Sequence, residues 1–448
     1  MGNETQPEQA NENGENNGDK SNQPTATKGA PATEAQIQEY FNTSFPVVIS
    51  NEVFEIREEL TKIRRFFHSN PELKFKEINT ASNIEAYLKD LGIETKTKVA
   101  TTGVVGLLRG DHDGPCIMLR ADMDALPVQE MKSKENESFI SKNNGIMHAC
   151  GHDAHLAILC GAAKILSSLK HLLHGSVKFV FQPGEEGGAG AKLMMDENVL
   201  NEPYVDQVYG LHVWSYDKFG TARIVHGPLM AGCCMFEIHV YGKGGHGAIP
   251  HTANDTIVAV SHLAQQLHSI VSRNIEPLKS FVLTIGSIKS GSKSNVIADK
   301  AALTGTMRWF HDSDFQVAMQ RIRSICVGIE NSFNVKIEYK QTTPKFPPVI
   351  NRNKECVDLV AKSVNQVLPV TPQSGIIQEP DYKTMISEDF GFFLEERPGC
   401  FFFLGCGVDG DQQFAHHKPD FKLDERCLTV GAQIFTTMVL ERLIKWKD

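Results

Sequence analysis

Residues 148–155 read His-Ala-Cys-Gly-His-Asp-Ala-His and set one thiol among three imidazoles. Cysteine, histidine and carboxylate within reach of one another suit a borderline divalent ion such as zinc or manganese. A Cys-x-His pair, here Cys150 and His152, can present both donors from a single turn. Each also has a plainer reading, Cys150 as a buried thiol and His152 as a capping or core histidine. A thiol near a histidine is, in addition, the equipment of a nucleophilic cysteine hydrolase. The rest of the chain bears on this choice. Glu185-Glu186 follow Pro183-Gly184 and precede Gly187-Gly188. A tight turn there lets one carboxylate bind metal while its neighbour takes a proton from water. Asp122, Asp124, His212 and the pair His416-His417 supply further donors.

These residues are far apart in sequence, so a scaffold must gather them. Short apolar runs at 103–108, 116–119, 177–181 and 208–213 read as strands. They alternate with helical stretches, one at 153–169, another near 79–91 that stops at Gly92, and an earlier one whose apolar face carries Val53, Ile56, Leu60, Ile63 and Phe67. Alternation of this kind predicts an α/β layer, a mixed sheet flanked by helices. Ligands of such sheets gather beyond the carboxyl ends of the strands. That is where Arg120–Asp124, Gln182–Gly187 and His212 fall.

The texture changes at 231–345. Strands near 234–241, 280–288, 301–309 and 334–341 and helices near 254–272 and 314–332 give the order β-α-β-β-α-β. This predicts a compact α+β domain inserted into the first, with 342–348 as its exit linker. The expected division is therefore a catalytic domain in two parts, 51–230 and 346–448, around an insert at 231–345. A last helix is expected near 423–446. Residues 1–34 contain no aromatic residue and no Val, Ile or Leu. Such a segment buries too little apolar surface to offset its ordering entropy. Residues 1–50 are accordingly expected to form a disordered tail, with order beginning by 52.

Composition narrows the function. The net charge of −9 disfavours nucleic acid as a partner. No apolar run is long enough to cross a bilayer. Ten cysteines scattered over 448 residues do not form the dense framework of a small secreted protein, and the amino terminus shows no secretory signal. A cytoplasmic location is expected.

From about 52 to 446 the chain resembles the aminoacylase/carboxypeptidase family of dinuclear metallohydrolases. It is most similar to the amidohydrolase branch of hippurate hydrolases, N-acyl-amino-acid amidohydrolases and auxin-conjugate hydrolases. The resemblance is carried by Arg-Ala-Asp-Met-Asp-Ala-Leu-Pro (120–127), Met-His-Ala-Cys-Gly-His-Asp-Ala-His (147–155), Gln-Pro-Gly-Glu-Glu-Gly (182–187) and Gly-Leu-His (210–212). Gly-Lys-Gly-Gly-His-Gly-Ala-Ile-Pro-His (242–251), Asn-Val-Ile (295–297), Gly-Thr-Met-Arg (305–308) and Ser-Glu-Asp-Phe (387–390) extend it. The resemblance implies two divalent ions, manganese or zinc, held by Cys150, His152, Glu186, His212 and His417, with Cys150 bridging. His417 is preferred to His416 because His417-Lys418-Pro419-Asp420-Phe421 fits the family's terminal His-x-Pro-x-Phe. Glu185 would be the general base. His246, reaching the active site of a second subunit, and Asn295 would stabilise the developing oxyanion, and Arg308 would grip the substrate carboxylate. Asp124 is expected to orient a ligand histidine, and His148 and His155 to be packing neighbours.

The activity so implied is hydrolysis of N-acyl amino acids to a carboxylic acid and a free amino acid, by a homodimer joined through the insert. A small-peptide carboxypeptidase or dipeptidase, a non-catalytic binding homologue and a cysteine hydrolase are the rival readings.

Overall fold

The computed structural model describes residues 31–408 and 414–444. Along the chain come β1 (Glu94–Val99), β2 (Gly103–Arg109), β3 (His112–Asp122), β4 (His174–Gln182), β5 (Gln207–Lys218), β6 (Thr221–Arg223) and β7 (Gly227–Met230). Next are β8 (Gly232–Tyr241), β9 (Gly245–His246), β10 (Phe281–Ser290), β11 (Val296–Ile297), β12 (Lys300–Trp309) and β13 (Lys336–Gln341). The series closes with β14 (Val349–Asn351), β15 (Gly375–Ile376) and β16 (Gly399–Gly407).

The large sheet has the order β1-β2-β4-β3-β5-β16-β6-β15. Its centre is parallel, β3 with β4 and β5, and β5 with β16. A parallel strand covered on both faces must be apolar on both faces. Cys116–Ala121 of β3 and all of Gly399–Gly407 are buried accordingly. Helix His152–Ser168 covers one face, and Leu156, Leu159 and Leu166 enter a core shared with helix Arg426–Leu443. The α/β architecture expected from the alternating pattern is the one observed.

A second, antiparallel sheet has the order β10-β12-β8-β13. Helices Thr256–Asn274 and Asp312–Phe333 pack on it through a core of their own, which includes Phe236, Leu263, Leu267, Leu303, Trp309 and Ile322. β9 and β11 form a separate two-stranded ribbon. The stretch after β13 is less free than a linker. Phe346 is buried and exchanges main-chain hydrogen bonds with Cys233 at 2.9 and 3.1 Å.

The expected tail needs correction. Residues 1–30 lie outside the described residues, but the segment up to 50 is not disordered. Helix Glu34–Phe41 opens on a capping box of Thr33 and Gln36. Ile37, Phe41, Phe45, Val47 and Ile49 enter the main core, and Phe41 stacks on Phe219. These apolar residues begin just where the apolar-free composition ends, and their burial offsets the ordering cost that 1–34 cannot meet.

Candidate metal centre

The donors converge at the carboxyl ends of the parallel strands. β3 ends in Asp122 and delivers Asp124, and β4 ends in Gln182 and delivers the turn Pro183–Gly188. Gly151 has φ +88°, a conformation glycine adopts without strain, and it sets Cys150 just ahead of the helix that starts at His152. β5 contributes His212, and the loop after β16 contributes His416 and His417.

Cys150 joins two donor sets. One is Cys150, His152 and His212, the other Cys150, Glu186 and His417. Cys150 Sγ lies 3.4 Å from His212 Nε2 and 3.3 Å from His417 Nε2. His417 Nε2 lies 3.2 Å from Glu186 Oε1. A third set, His152, Glu185 and Glu186, places Glu185 directly beside the other donors. His152 Nε2 is buried here without a hydrogen bond. Orphaned buried donors are costly unless something satisfies them. Two imidazoles around a thiol, and an imidazole and a carboxylate around the same thiol, fit divalent ions of the zinc–manganese class.

The supporting contacts explain which histidines can serve. His152 Nδ1 pairs with the main-chain carbonyl of Asp124 at 2.8 Å and His212 Nδ1 with that of Val213 at 2.6 Å, so each turns Nε2 toward the cluster. His155 uses both nitrogens elsewhere, Nδ1 on Asp122 at 2.6 Å and Nε2 accepting from Val213 N at 2.9 Å. His416 is buried against Trp214 and Phe421, and its Nε2 accepts from Ser215 N at 3.2 Å. The structure thus brings His417, and not His416, to Cys150. Buried His148 enters no donor set among the described residues. Asp124 does orient His152, but through its carbonyl. Its carboxylate accepts instead from Glu185 N at 3.0 Å and Glu186 N at 2.9 Å.

Burial dominates the electrostatics, and the charged neighbours decide each sign. Burial disfavours the His152 cation, but Asp122 and Asp124 outweigh it and raise the ring to about 10. An environment that holds a proton so firmly also favours a metal cation in its place. Burial, then Glu186 and Glu185, push the Cys150 thiol up. That is the reverse of what a metal-free cysteine nucleophile needs. Burial and then Glu388 and Glu186 hold Glu185 well above the usual carboxylate range. Burial works the same way on Glu186, but His417 and His152 bring it below its ordinary value.

One layer of the site has no role in the sequence reading. Glu185, Glu388 and Asp389 form a buried acidic set. Arg120, fully enclosed, offsets it through Asp122 at 2.7 Å, Glu388 at 2.8 Å and Asp389 at 3.1 Å. The signal available was Ser-Glu-Asp-Phe itself, an acidic pair ahead of a short helix.

The remaining expected residues lie apart from this cluster. His246 sits on the β9–β11 ribbon and Asn295 just ahead of β11, where Gly247 N donates to Asn295 O at 2.9 Å and Ala248 N to His246 Nδ1 at 3.1 Å. Arg308 Nη1 donates to Met385 O at 2.7 Å and to Ser387 Oγ at 3.3 Å, next to the acidic pair. Among the described residues no helix is long and apolar enough to cross a membrane.

Known proteins resemble this chain over most of its length. The chain is 38% identical over 388 residues to thermostable carboxypeptidase 2 of Saccharolobus solfataricus, covering 86% of this chain and 95% of that one. It is 37% identical over 393 residues to an N-acetyl-L-cysteine deacetylase of Bacillus subtilis, covering 87% and 89%. It is also 37% identical over 392 residues to an IAA-amino acid hydrolase (ILR1-like 2) of Arabidopsis thaliana, covering 87% and 86%. The crystal structure of the Bacillus subtilis YXEP protein, described as a dinuclear metal binding peptidase from the M20 family, superposes with a TM-score of 0.73 at 32% identity, covering 87% and 99%. Residues 118–441 match peptidase family M20/M25/M40, and the chain belongs to that family of hydrolases.

Proposed function

We propose that this protein is a two-metal amidohydrolase that cleaves N-acyl amino acids of the acetyl, benzoyl or indole-acetyl type. The observation that carries the proposal is the thiol of Cys150 standing in two donor sets at once, with Glu185 beside them. In this reading Cys150, His152, Glu186, His212 and His417 hold two ions, manganese or zinc. Bound there, the ions would supply Lewis-acid polarisation of the scissile carbonyl and acidify water.

The chain's own residues do the rest. Glu185 takes a proton from water and passes it to the departing amine. Its enclosure keeps that proton from bulk solvent. Arg308, on the strand that reaches Ser387, orients the free carboxylate of the substrate through a guanidinium fork. His246 and Asn295 stabilise negative charge on the carbonyl oxygen, and they do so in the neighbouring subunit of a homodimer. Two features support that part of the reading. His246 is exposed and bonds only locally, and Ile257, Ile288 and Val296 leave apolar side chains exposed on the same unit. A cytoplasmic location fits ten cysteines that are all free.

A small-peptide carboxypeptidase is the second reading. It is favoured by the 38% identity to thermostable carboxypeptidase 2, since a peptide is itself an N-acyl amino acid. One panel separates the two, N-acetyl, N-benzoyl and indole-acetyl amino acids beside short peptides, each assayed with Mn²⁺ and with Zn²⁺. The proposal expects acyl amino acids to be preferred. It also expects Glu185→Gln to lower kcat by about 10²–10⁴-fold. Full activity in that variant would remove Glu185 as the base.

A further inference from the structure

Among the described residues Glu77 belongs to no donor set, yet it is fully buried. Its Oε1 accepts from Gly184 N at 3.0 Å and its Oε2 from Thr102 Oγ1 at 2.5 Å. Gly184 directly precedes Glu185 and has φ +64°. The next two amides of the turn, those of Glu185 and Glu186, are taken by Asp124. Three consecutive main-chain donors are therefore held by two buried carboxylates from distant parts of the chain.

Two residues close to Glu77 reach the same turn. Lys74 Nζ donates to the carbonyl of Glu186 at 2.7 Å. The ring of Phe75 lies so close to Gly184 and Gly188 that a Cβ there would come within 2.6 and 2.7 Å of it. Phe75 itself holds φ +59°. That conformation costs a non-glycine residue about 1–3 kcal/mol and persists only where packing dictates it. Lys74, Phe75 and Glu77 themselves lie before residue 118, where the family match begins.

We infer that Glu77, assisted by Lys74, is a positioning residue for the turn that carries Glu185 and Glu186. It ties down Gly184 N, so the two carboxylates leave the turn in fixed and different directions, one toward the donor sets and one beside them. Without it, Gly184 N is a buried donor with no partner, and the turn can relax away from the cluster. The inference rests on Glu186 as a ligand and Glu185 as the base.

The test compares Glu77→Ala, Glu77→Gln and Lys74→Ala in the full chain. Two readouts are used, Mn²⁺ titration of chelator-stripped protein by calorimetry and steady-state kinetics of the reloaded protein. In Glu77→Ala, Mn²⁺ affinity should fall about 10-fold. Its kcat should fall 10- to 100-fold, as misplaced groups do, with KM within about threefold. Glu77→Gln should recover most of both, because its amide oxygen still accepts from Gly184 N. Lys74 is exposed, so Lys74→Ala stays folded and decides the matter if Glu77→Ala does not fold. It should show a smaller loss of affinity, about 3-fold, with an unchanged Tm. Wild-type Mn²⁺ affinity and kcat in Glu77→Ala overturn the inference, and so do wild-type values in Lys74→Ala when Glu77→Ala cannot fold. The titration needs no turnover, so an error in assigning Glu185 would leave it intact. A wild-type chain that binds no Mn²⁺ would instead defeat the reading of the metal centre.

Discussion

Removing Cys150 should cost more metal than removing any one histidine, because its sulfur lies in both donor sets. Cys150→Ala purified with Mn²⁺ is expected to hold almost no metal, whereas His212→Ala keeps the ion of the Glu186–His417 set. Metal analysis by mass spectrometry reads the difference directly, and two ions retained per chain in Cys150→Ala would refute a shared donor. Glu77 offers a second prediction at this scale. Burial raises its carboxyl to about 7 from an ordinary 4.5. The folded state therefore binds a proton that the unfolded state has released between those values. The stability it contributes is complete below the unfolded value and is lost as pH rises through the folded one. Glu77→Gln cannot ionise, so metal-free Glu77→Gln should gain on the wild type from pH 5 to pH 8. The full gain is on the order of 3 kcal/mol, readable in denaturant midpoints. A constant difference across that range would mean Glu77 stays ionised.

At the scale of elements, what could be read in advance depended on distance along the chain. Cys150-Gly151-His152 and Pro183-Gly184-Glu185-Glu186 are local, and turn chemistry alone suggests how they present their donors. The pairing of Glu77 with Gly184, and of Arg120 with Glu388, spans more than a hundred residues in each case. No spacing rule connects such partners. The His-x-Pro-x-Phe pattern already favours His417 over His416, but that His416 is consumed by Ser215 N shows only in its folded neighbours. The helix Glu34–Phe41 was obscured by the polar segment ahead of it. It is anchored in the core by Phe41, which is wholly buried. Phe41→Ala should therefore destabilise the protein by about 3–5 kcal/mol. Urea unfolding followed by circular dichroism checks this, and a change below about 1 kcal/mol would mean the helix is only draped on the surface.

Across the whole molecule, the centre concentrates negative charge. Glu185, Glu186, Glu388, Asp389, Asp122 and Asp124 meet there, with Arg120 as a buried cation among them. Bound divalent ions would relieve that repulsion, so chelation should lower Tm and added Mn²⁺ should restore it. At 100 times the dissociation constant, each ion adds about 2.7 kcal/mol to stability. Equal melting curves with and without chelator would show that the ions contribute nothing to the fold.

The span between Cys150 and His417 is 267 positions. An ion held by both is a cross-link between the start of one central helix and the loop after the last strand of the large sheet. Unlike a disulfide it is lost on unfolding, so it acts on the folded chain and not on the unfolded one. Its effect there is on local opening. Segments 183–188 and 414–423 cannot swing out singly while the ions tie them to Cys150, so proteases should find both loops together, and only after the metal has left.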